Sequence, residues 1–157
     1  KGWRNDIQLV ITVLSADQKN DPDILAVIGG SAALSISEIP FYGPVSAVHV
    51  GFINDQLILN PTLAQLETSL LDLVVASTKE AIVMVEAGAQ EVSEDIITRA
   101  IKFGHEANQD IIKLQEQLQQ AWGRPKAEAP ISEVNPKVTS AISSMVNGRL
   151  NIVSGCT

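Results

Sequence analysis

The feature that most constrains the fold is an apolar segment that follows an Asp-Pro pair. Asp21 can accept hydrogen bonds from the first free N–H groups of a helix, and Pro22 suits a first helical position because that position needs no N–H. The apolar residues that follow leave no wide polar face: Ile24, Leu25, Val27, Ile28, Ala32, Ala33, Leu34 and Ile36. We therefore predict a helix that is buried on most sides.

Gly29 and Gly30 lie in the middle of this predicted helix. Each interior glycine costs about 1 kcal/mol relative to alanine, so the pair indicates a neighbouring backbone that comes close to the helix. A phosphate-binding loop is the alternative. It is disfavoured because no strand leads into the pair and neither a Lys-Ser/Thr nor a third spaced glycine follows it.

Alternating apolar and polar residues predict a strand over Asp6–Ala16. After the helix, turn residues separate several short apolar runs, and Asn54-Asp55 fits a two-residue hairpin turn. These runs predict four further strands, which we expect to form a meander: Val45–Ile53, Gln56–Leu59, Leu71–Ser77 and Ala81–Glu86.

A long amphipathic helix is predicted from Ser93 to Trp122, with Gly123 as its C-terminal cap. Its apolar stripe consists of Ile97, Ala100, Ile101, Gly104, Ile111, Leu114 and Leu118. One such stripe indicates that the helix packs on the sheet by a single face. Beyond a linker-like stretch, a last helix is predicted over 131–146, with Ser132 or Asn135 as its cap.

Charge and composition exclude several classes of protein. The formal charge of −7 and the scattered lysines and arginines argue against a free-standing nucleic-acid binder, because such binding depends on cationic side chains. Cys156 is the one cysteine, so an intrachain disulfide is excluded. No apolar run approaches the length of a membrane span, and no signal-peptide pattern is present. We expect a cytoplasmic protein, and the start at Lys1 suggests a piece of a longer one.

Most candidate catalytic groups have a structural interpretation. His105 and Glu106 lack the second histidine of a metalloprotease motif, because Gln109 stands at that position. His49 is expected to be a half-buried strand histidine. No histidine and acid stand at a motif spacing from any of Ser31, Ser35 and Ser37.

Asp72 differs from these candidates because it is a lone carboxylate in an apolar run. A charge in such surroundings is costly unless it is paired or faces a site. Asp72 is therefore the residue on which a functional interpretation depends.

Three stretches resemble the first RNase PH-like core domain of the polynucleotide phosphorylase family. They are DPDILAVIGGSAALSISEIPFYGPVSAVHVGFINDQLILNPT, LDLVVAST and, on the long helix, AIKFGHEANQDIIKLQEQL. The resemblance implies an α+β, RNase PH-like fold, with a mixed or antiparallel sheet packed with helices, incomplete at the N-terminus and followed by a short helical segment. The implied domains are residues 1–122 for the C-terminal part of the core domain, 123–130 for a linker, and 131–157 for the start of an all-helical domain.

The family degrades RNA from its 3′ end with inorganic phosphate and releases nucleoside diphosphates. Its catalytic copy of the fold is the second core domain, which carries two aspartates six residues apart and a serine run that holds phosphate. Asp72 matches the later aspartate, but Leu66 stands where the earlier one is expected. The serine positions correspond to Pro22, Asp23 and Ile24, which offer no hydroxyl.

The resemblance thus implies no catalytic, phosphate-binding or metal-binding residue in this chain, with Asp72 as a vestigial match. We expect Mg²⁺ to be bound by the absent second core domain, and the fragment alone to be inactive. Its role would be to hold a homotrimer together and to shape the RNA channel. The expected partners are single-stranded RNA, through the parent protein, and RNA degradosome proteins, with no membrane.

Two alternatives stay open. The first is a non-catalytic ring subunit of an exosome-like complex. The second is an unrelated small-molecule enzyme with Asp72 as its general base and Glu67 as the second polar group.

Overall fold

The computed structural model describes residues 5–128 and 135–146, which form four helices and four strands. They follow in the order α1 (Asp23–Ile36), β1 (Ser46–Ile53), β2 (Gln56–Leu59), α2 (Leu63–Leu66), β3 (Leu71–Ser77), β4 (Ile82–Ala89), α3 (Glu94–Trp122) and α4 (Pro136–Val146). The chain divides into two compact units, each defined by the contacts among its own residues. Residues 7–127 contain the sheet with α1 to α3, and the other unit, residues 1–6 and 128–157, contains α4.

The sheet is antiparallel throughout, in the order β2-β1-β3-β4. The β1–β2 hairpin turns at Asn54 and Asp55, both with φ in the left-handed region (49° and 60°), which matches the twist of the flanking strands. The predicted meander is wrong, because β3 pairs with β1 and not with β2. After β2 the chain passes through α2 and returns beside β1, where the Leu70 N–H donates to the Phe52 carbonyl.

The two faces of the sheet carry separate apolar clusters. Alternate residues of β1 and β3 pack against α3, with Val50 and Leu73 fully buried in that cluster. The other residues of the same strands, including Ala47 and Ala76, pack against Ile24 of α1. Because side chains alternate between the faces of a strand, the two clusters use opposite faces of β1 and β3. Helices α1 and α3 also contact each other directly.

Helix α1 is more exposed than its sequence predicts. Its buried residues lie on one face: Ile24, Gly30, Ser31 and Ser35. Leu25 is 70% exposed and Val27 is 39% exposed, so the prediction of burial on most sides is wrong. Hydropathy shows which side chains gain from burial, but it does not supply the partner that covers them. Asp21 still contributes to the helix start, because its Oδ1 accepts from the Asp23 N–H at 3.1 Å.

The prediction that a neighbouring backbone comes close to Gly29 and Gly30 is wrong, and the closest helix packing occurs at another glycine. A Cβ at Gly29 would meet nothing within 4 Å, and one at Gly30 would meet only the Leu9 and Ile11 side chains, at ordinary contact distance. Gly104 of α3 is the crowded position. A Cβ there would lie 3.0 Å from Cβ and Cγ2 of Val75, so this glycine lets α3 lie close against β3.

The apolar stripe of α3 is confirmed as far as Ile111, which packs against the cluster on β1 and β3. Ala100 and Gly104 are buried, but Leu114 is 64% exposed. Asn108, Ile112 and Gln115 are the buried residues of the second half. The amide nitrogen of Asn108 donates to the Val75 carbonyl and that of Gln115 to the Val45 carbonyl, while both amide oxygens are buried without a partner among the described residues. Gly123 follows the helix as predicted, and its N–H donates to the Gln119 carbonyl.

The predicted strand over Asp6–Ala16 is wrong. The segment is exposed and has no strand assignment among the described residues. Alternation favours a strand only when a neighbouring strand accepts its backbone hydrogen bonds, and no described strand does so. β4 is longer than the predicted Ala81–Glu86, and the four-residue helix α2 was not predicted.

The stretch after α3 lies along the end of α1. The Arg124 N–H donates to the Ile36 carbonyl, and the Ala127 N–H donates to the Glu38 carbonyl.

In the other unit, the Lys137 N–H donates to Asn135 Oδ1, so Asn135 caps α4. Ser132 and the first four residues of the predicted helix lie outside the described residues, and the domain boundaries at 122 and 130 stay a prediction. No helix within the described ranges is long and apolar enough to cross a membrane.

Candidate functional site

Asp72 lies in contact with His49, a residue from the neighbouring strand. Asp72 pairs across the ladder with Gly51, and His49 pairs with Val74, so the two side chains are diagonal neighbours on the α1 face of the sheet. His49 Nε2 and Asp72 Oδ1 form a hydrogen bond. The His49 side chain is 10% exposed and that of Asp72 is 55% exposed. The lone carboxylate of the sequence is thus paired, and its free edge faces solvent.

The backbone of His49 is fixed by the residue that follows β2. The His49 N–H donates to Asn60 Oδ1 at 3.0 Å, and the Asn60 N–H donates to the His49 carbonyl at 2.7 Å. Asn60 has a φ of 46°, a left-handed conformation that asparagine tolerates better than most residues. This reciprocal pair places the imidazole beside Asp72. No local sequence signal indicates the contact, because 23 residues separate the two partners.

A cavity of about 420 Å³ opens above this pair. It is lined by Asp23 from α1, by Asp72 and Val74 from β3, by His49, and by Glu86, Ala87 and Gly88 from β4. A smaller cavity of about 280 Å³ lies on the other side of His49 and includes Ile24, Ile28 and Pro61 in its lining. The larger cavity therefore carries three carboxylates, and the smaller one is mainly apolar.

The positions matched to catalytic and phosphate-binding residues have other roles here. Leu66 is the last residue of α2, and Glu67 follows as its C-terminal cap. Pro22 is the residue before α1, Ile24 is buried in the α1 cluster, and Asp23 Oδ1 accepts from the Ile24 N–H. Of these residues, Asp23 is the one that lines the larger cavity together with Asp72.

Carboxylate oxygens are ligands that magnesium takes, so what matters is how this set is arranged. Asp72 is engaged by an imidazole, and an apolar leucine stands at the position of its expected partner. In the described part of the chain, no group of three or more His, Cys, Asp or Glu residues could hold a metal ion.

The serines singled out in the sequence have structural roles. Ser31 Oγ accepts from the Val45 N–H at 2.8 Å, across from α1 to the start of β1. Ser37 Oγ donates to the Leu34 carbonyl and accepts from the Ile39 N–H at the end of α1. Ser35 is buried, but its Oγ has no hydrogen-bond partner among the described residues. His105 and Glu106 lie on α3, far along the chain from the strands that carry Asp72 and His49.

Residues 43–107 match the family model described as "3' exoribonuclease family, domain 2". The matched range begins just before β1 and ends within α3. It therefore contains the whole sheet, with His49, Asp72 and Glu86.

Three curated proteins with sequences similar to this chain share the name polyribonucleotide nucleotidyltransferase. The chain is 50% identical to the polyribonucleotide nucleotidyltransferase of Dehalococcoides mccartyi strain BAV1, over 96% of the chain and 21% of that protein. It is 48% identical to the enzyme of the same name from Heliobacterium modesticaldum, over 96% of the chain and 21% of that protein. With the Thermus thermophilus protein of that name, identity is 54% over 80% of the chain and 18% of that protein. The chain thus spans about a fifth of the length of these relatives.

A solved structure shares the fold. The crystal structure of rice (Oryza sativa) Rrp46 matches with a TM-score of 0.58 and 19% sequence identity, over 65% of this chain and 49% of that chain. Together with the family match over the sheet, this likeness confirms the predicted α+β, RNase PH-like fold. The chain therefore carries an RNase PH-like domain and is related to a segment of the polyribonucleotide nucleotidyltransferases.

Proposed function

We propose that this chain is part of a polynucleotide phosphorylase, which degrades RNA from its 3′ end with inorganic phosphate and releases nucleoside diphosphates. One observation carries the proposal: half of the residues are identical to a polyribonucleotide nucleotidyltransferase over 96% of the chain. The match of residues 43–107 to a 3′ exoribonuclease domain supports the same direction of degradation. The parent protein is then the enzyme, and this chain is one portion of it.

Within that enzyme, we assign this portion to a non-catalytic core copy. Asp72 is held by His49, and Leu66 supplies no second carboxylate. Phosphate binding is disfavoured at the cavity because Asp23, Asp72 and Glu86 all line it, and carboxylates repel phosphate oxygens. The same repulsion acts on the backbone of RNA, whose affinity for proteins depends on cationic side chains.

The role left for this portion is assembly of a homotrimer and shaping of its RNA channel. Single-stranded RNA would meet it as part of the whole ring, in the cytoplasm, with RNA degradosome proteins as further partners. Mg²⁺ would be bound by the second core domain of the parent. The exposed apolar residues of α1, Leu25 and Val27, support an assembly role, because exposed apolar patches commonly mark interaction surfaces.

A non-catalytic subunit of an exosome-like ring stays the second candidate. It shares the expectation that this domain assembles without catalysis. The likeness to rice Rrp46 supports only a common fold, at 19% identity, so the first candidate is preferred.

The test is made in the parent enzyme that contains this chain. The variant Asp72→Asn should release nucleoside diphosphate from poly(A) and phosphate at the rate of the unchanged enzyme, within about twofold. Asp95→Asn, at the exposed start of α3, is the matched control for loss of one carboxylate. A large loss of turnover in Asp72→Asn, with the enzyme still folded and assembled, would contradict the assignment.

A further inference from the structure

The strand β4 forms one edge of the sheet and lacks most of the features that protect an edge. All eight of its residues, Ile82–Ala89, are exposed. The strand contains no proline and no basic residue, and both are common devices that prevent an edge from pairing with another chain. The register shift opposite Ala76 and Ser77 affects only its first residues, so the ladder is regular from Met84 to Ala89. The other edge strand, β2, has only four residues.

Apolar side chains line this edge on both faces of the sheet. Ile82, Val83, Met84 and Val85 are between 40% and 56% exposed. Because successive side chains alternate between the faces, a strand added beside β4 would cover part of each of them. A strand of this kind also supplies partners for the unpaired backbone groups of the edge.

The regular end of β4 borders the acidic cavity. Glu86, Ala87 and Gly88 line it together with Asp23 and Asp72. Among the described residues, neither Asp23 nor Glu86 forms a salt bridge. A Cβ at Gly88 would meet nothing within 4 Å, so the cavity is open above the strand at this point.

We propose that β4 is a docking edge for an extended segment of a partner protein, apolar at alternate positions and carrying a lysine or arginine that enters the acidic cavity. The edge supplies backbone hydrogen bonds, and Glu86 with Asp23 supplies the complementary charge. A second copy of this chain fits less well, because each copy carries a formal charge of −7 and β4 against β4 would bring acid near acid without any cation. This docking edge goes beyond the proposed function and does not depend on it.

The experiment uses the full 157-residue chain and a fluorescein-labelled ten-residue peptide of alternating valine and threonine with one central lysine. Fluorescence anisotropy should detect saturable binding. Replacing the lysine of the peptide with glutamate should weaken binding about tenfold or more, and methylating alternate backbone nitrogens of the peptide should abolish it. Binding of the lysine peptide should also weaken as salt is raised.

Three variants of the chain locate the site. Glu86→Gln should weaken binding of the lysine peptide about threefold to tenfold. Binding of the glutamate peptide should not become weaker. Val85→Lys, which puts a cation on the edge, should abolish binding of the lysine peptide. Asp110→Asn on α3 removes one carboxylate elsewhere and should change nothing. Circular dichroism of each variant verifies that it is folded.

Equal binding of the lysine and glutamate peptides, or undiminished binding of the methylated peptide, would overturn the proposal. A concentration-dependent dimer in analytical ultracentrifugation that Val85→Lys dissolves would also overturn it, because the occupant would then be a second copy. Absence of peptide binding by the folded, monomeric chain would do so as well.

Discussion

Gln115 of α3 donates a hydrogen bond from Nε2 to the carbonyl oxygen of Val45, 70 residues earlier, at 3.0 Å. The N–H of the same Val45 donates to Ser31 Oγ of α1 at 2.8 Å. Both backbone groups of Val45, the residue just before β1, are thus bound by helix side chains, one from α3 and one from α1. This arrangement joins three elements at one residue, directly ahead of the strand that carries His49.

Replacing Gln115 should therefore destabilise the fold. Gln115→Met keeps the volume of the buried side chain but leaves the Val45 carbonyl without this donor, so the free energy of unfolding should fall by about 1–2 kcal/mol. Urea unfolding followed by circular dichroism measures the change. Gln117→Met, at an exposed position of the same helix, is the control and should be nearly neutral. Equal effects of the two substitutions would show that the bond contributes nothing.

Lys126 anchors the stretch after α3 to the end of α1. Its Nζ donates to the carbonyls of Leu34, Ser35 and Ser37 at 2.7–2.9 Å, where the helix leaves carbonyls without intrahelical partners. Lys126→Met should lower the free energy of unfolding by about 1–3 kcal/mol, and should speed amide hydrogen exchange in the last turn of α1. Lys113→Met, on the exposed side of α3, should have little effect on either quantity. Unchanged exchange in Lys126→Met would contradict the anchoring role.

Replacing two glycines of the helices with alanine should change the stability of the fold in opposite directions. Gly104→Ala places a methyl group 3.0 Å from two atoms of Val75 and should destabilise the fold by about 1–3 kcal/mol. Gly29→Ala places a methyl group in open space on a helix and should stabilise the fold by about 0.5–1 kcal/mol. Thermal unfolding of both variants beside the unchanged chain tests the pair. The same sign for the two changes would contradict the assigned packing of α3.

Asp17 forms a turn ahead of α1 that should depend on pH. Hydrogen bonds from the backbone N–H groups of Asn20 and Lys19 lower the pKa of its carboxyl below 3.8, because they favour the charged form. A carboxyl whose pKa is lower in the folded state stabilises that state above pH 3.8, and this contribution is lost as the pH falls through the folded value. An NMR titration of the Asp17 carboxyl carbon should give a midpoint below 3.8. A midpoint at or above that value would mean that the turn does not form.

The local elements could be predicted from the sequence where local chemistry decides them. The Asn54-Asp55 turn, the strands on either side of it and the long helix ending before Gly123 lie where turn residues and helical periodicity indicate. The strand order could not be predicted in this way. It depends on how the chain returns through α2 to lie beside β1, and short turn motifs do not encode that path.

The site could be predicted only in part. Asp72 stands out in the sequence because a charge in an apolar run needs a partner. The sequence predicts its partner His49 only as a half-buried strand histidine, since no local signal indicates a contact between residues 23 positions apart. The contribution of Glu86 to the cavity was missed for the same reason. Similarly, the exposure of Leu25 could not be predicted, because hydropathy does not reveal whether a covering surface exists.

The central claim is that this chain is a core copy without catalytic activity. The most direct measurement is release of ADP from poly(A) by the isolated chain with phosphate and Mg²⁺, after circular dichroism has shown that the chain is folded. The full-length polyribonucleotide nucleotidyltransferase of Dehalococcoides mccartyi serves as the positive control. We predict no ADP above background from the chain. Phosphate-dependent ADP release that Asp72→Asn abolishes would contradict the claim and make Asp72 a catalytic residue.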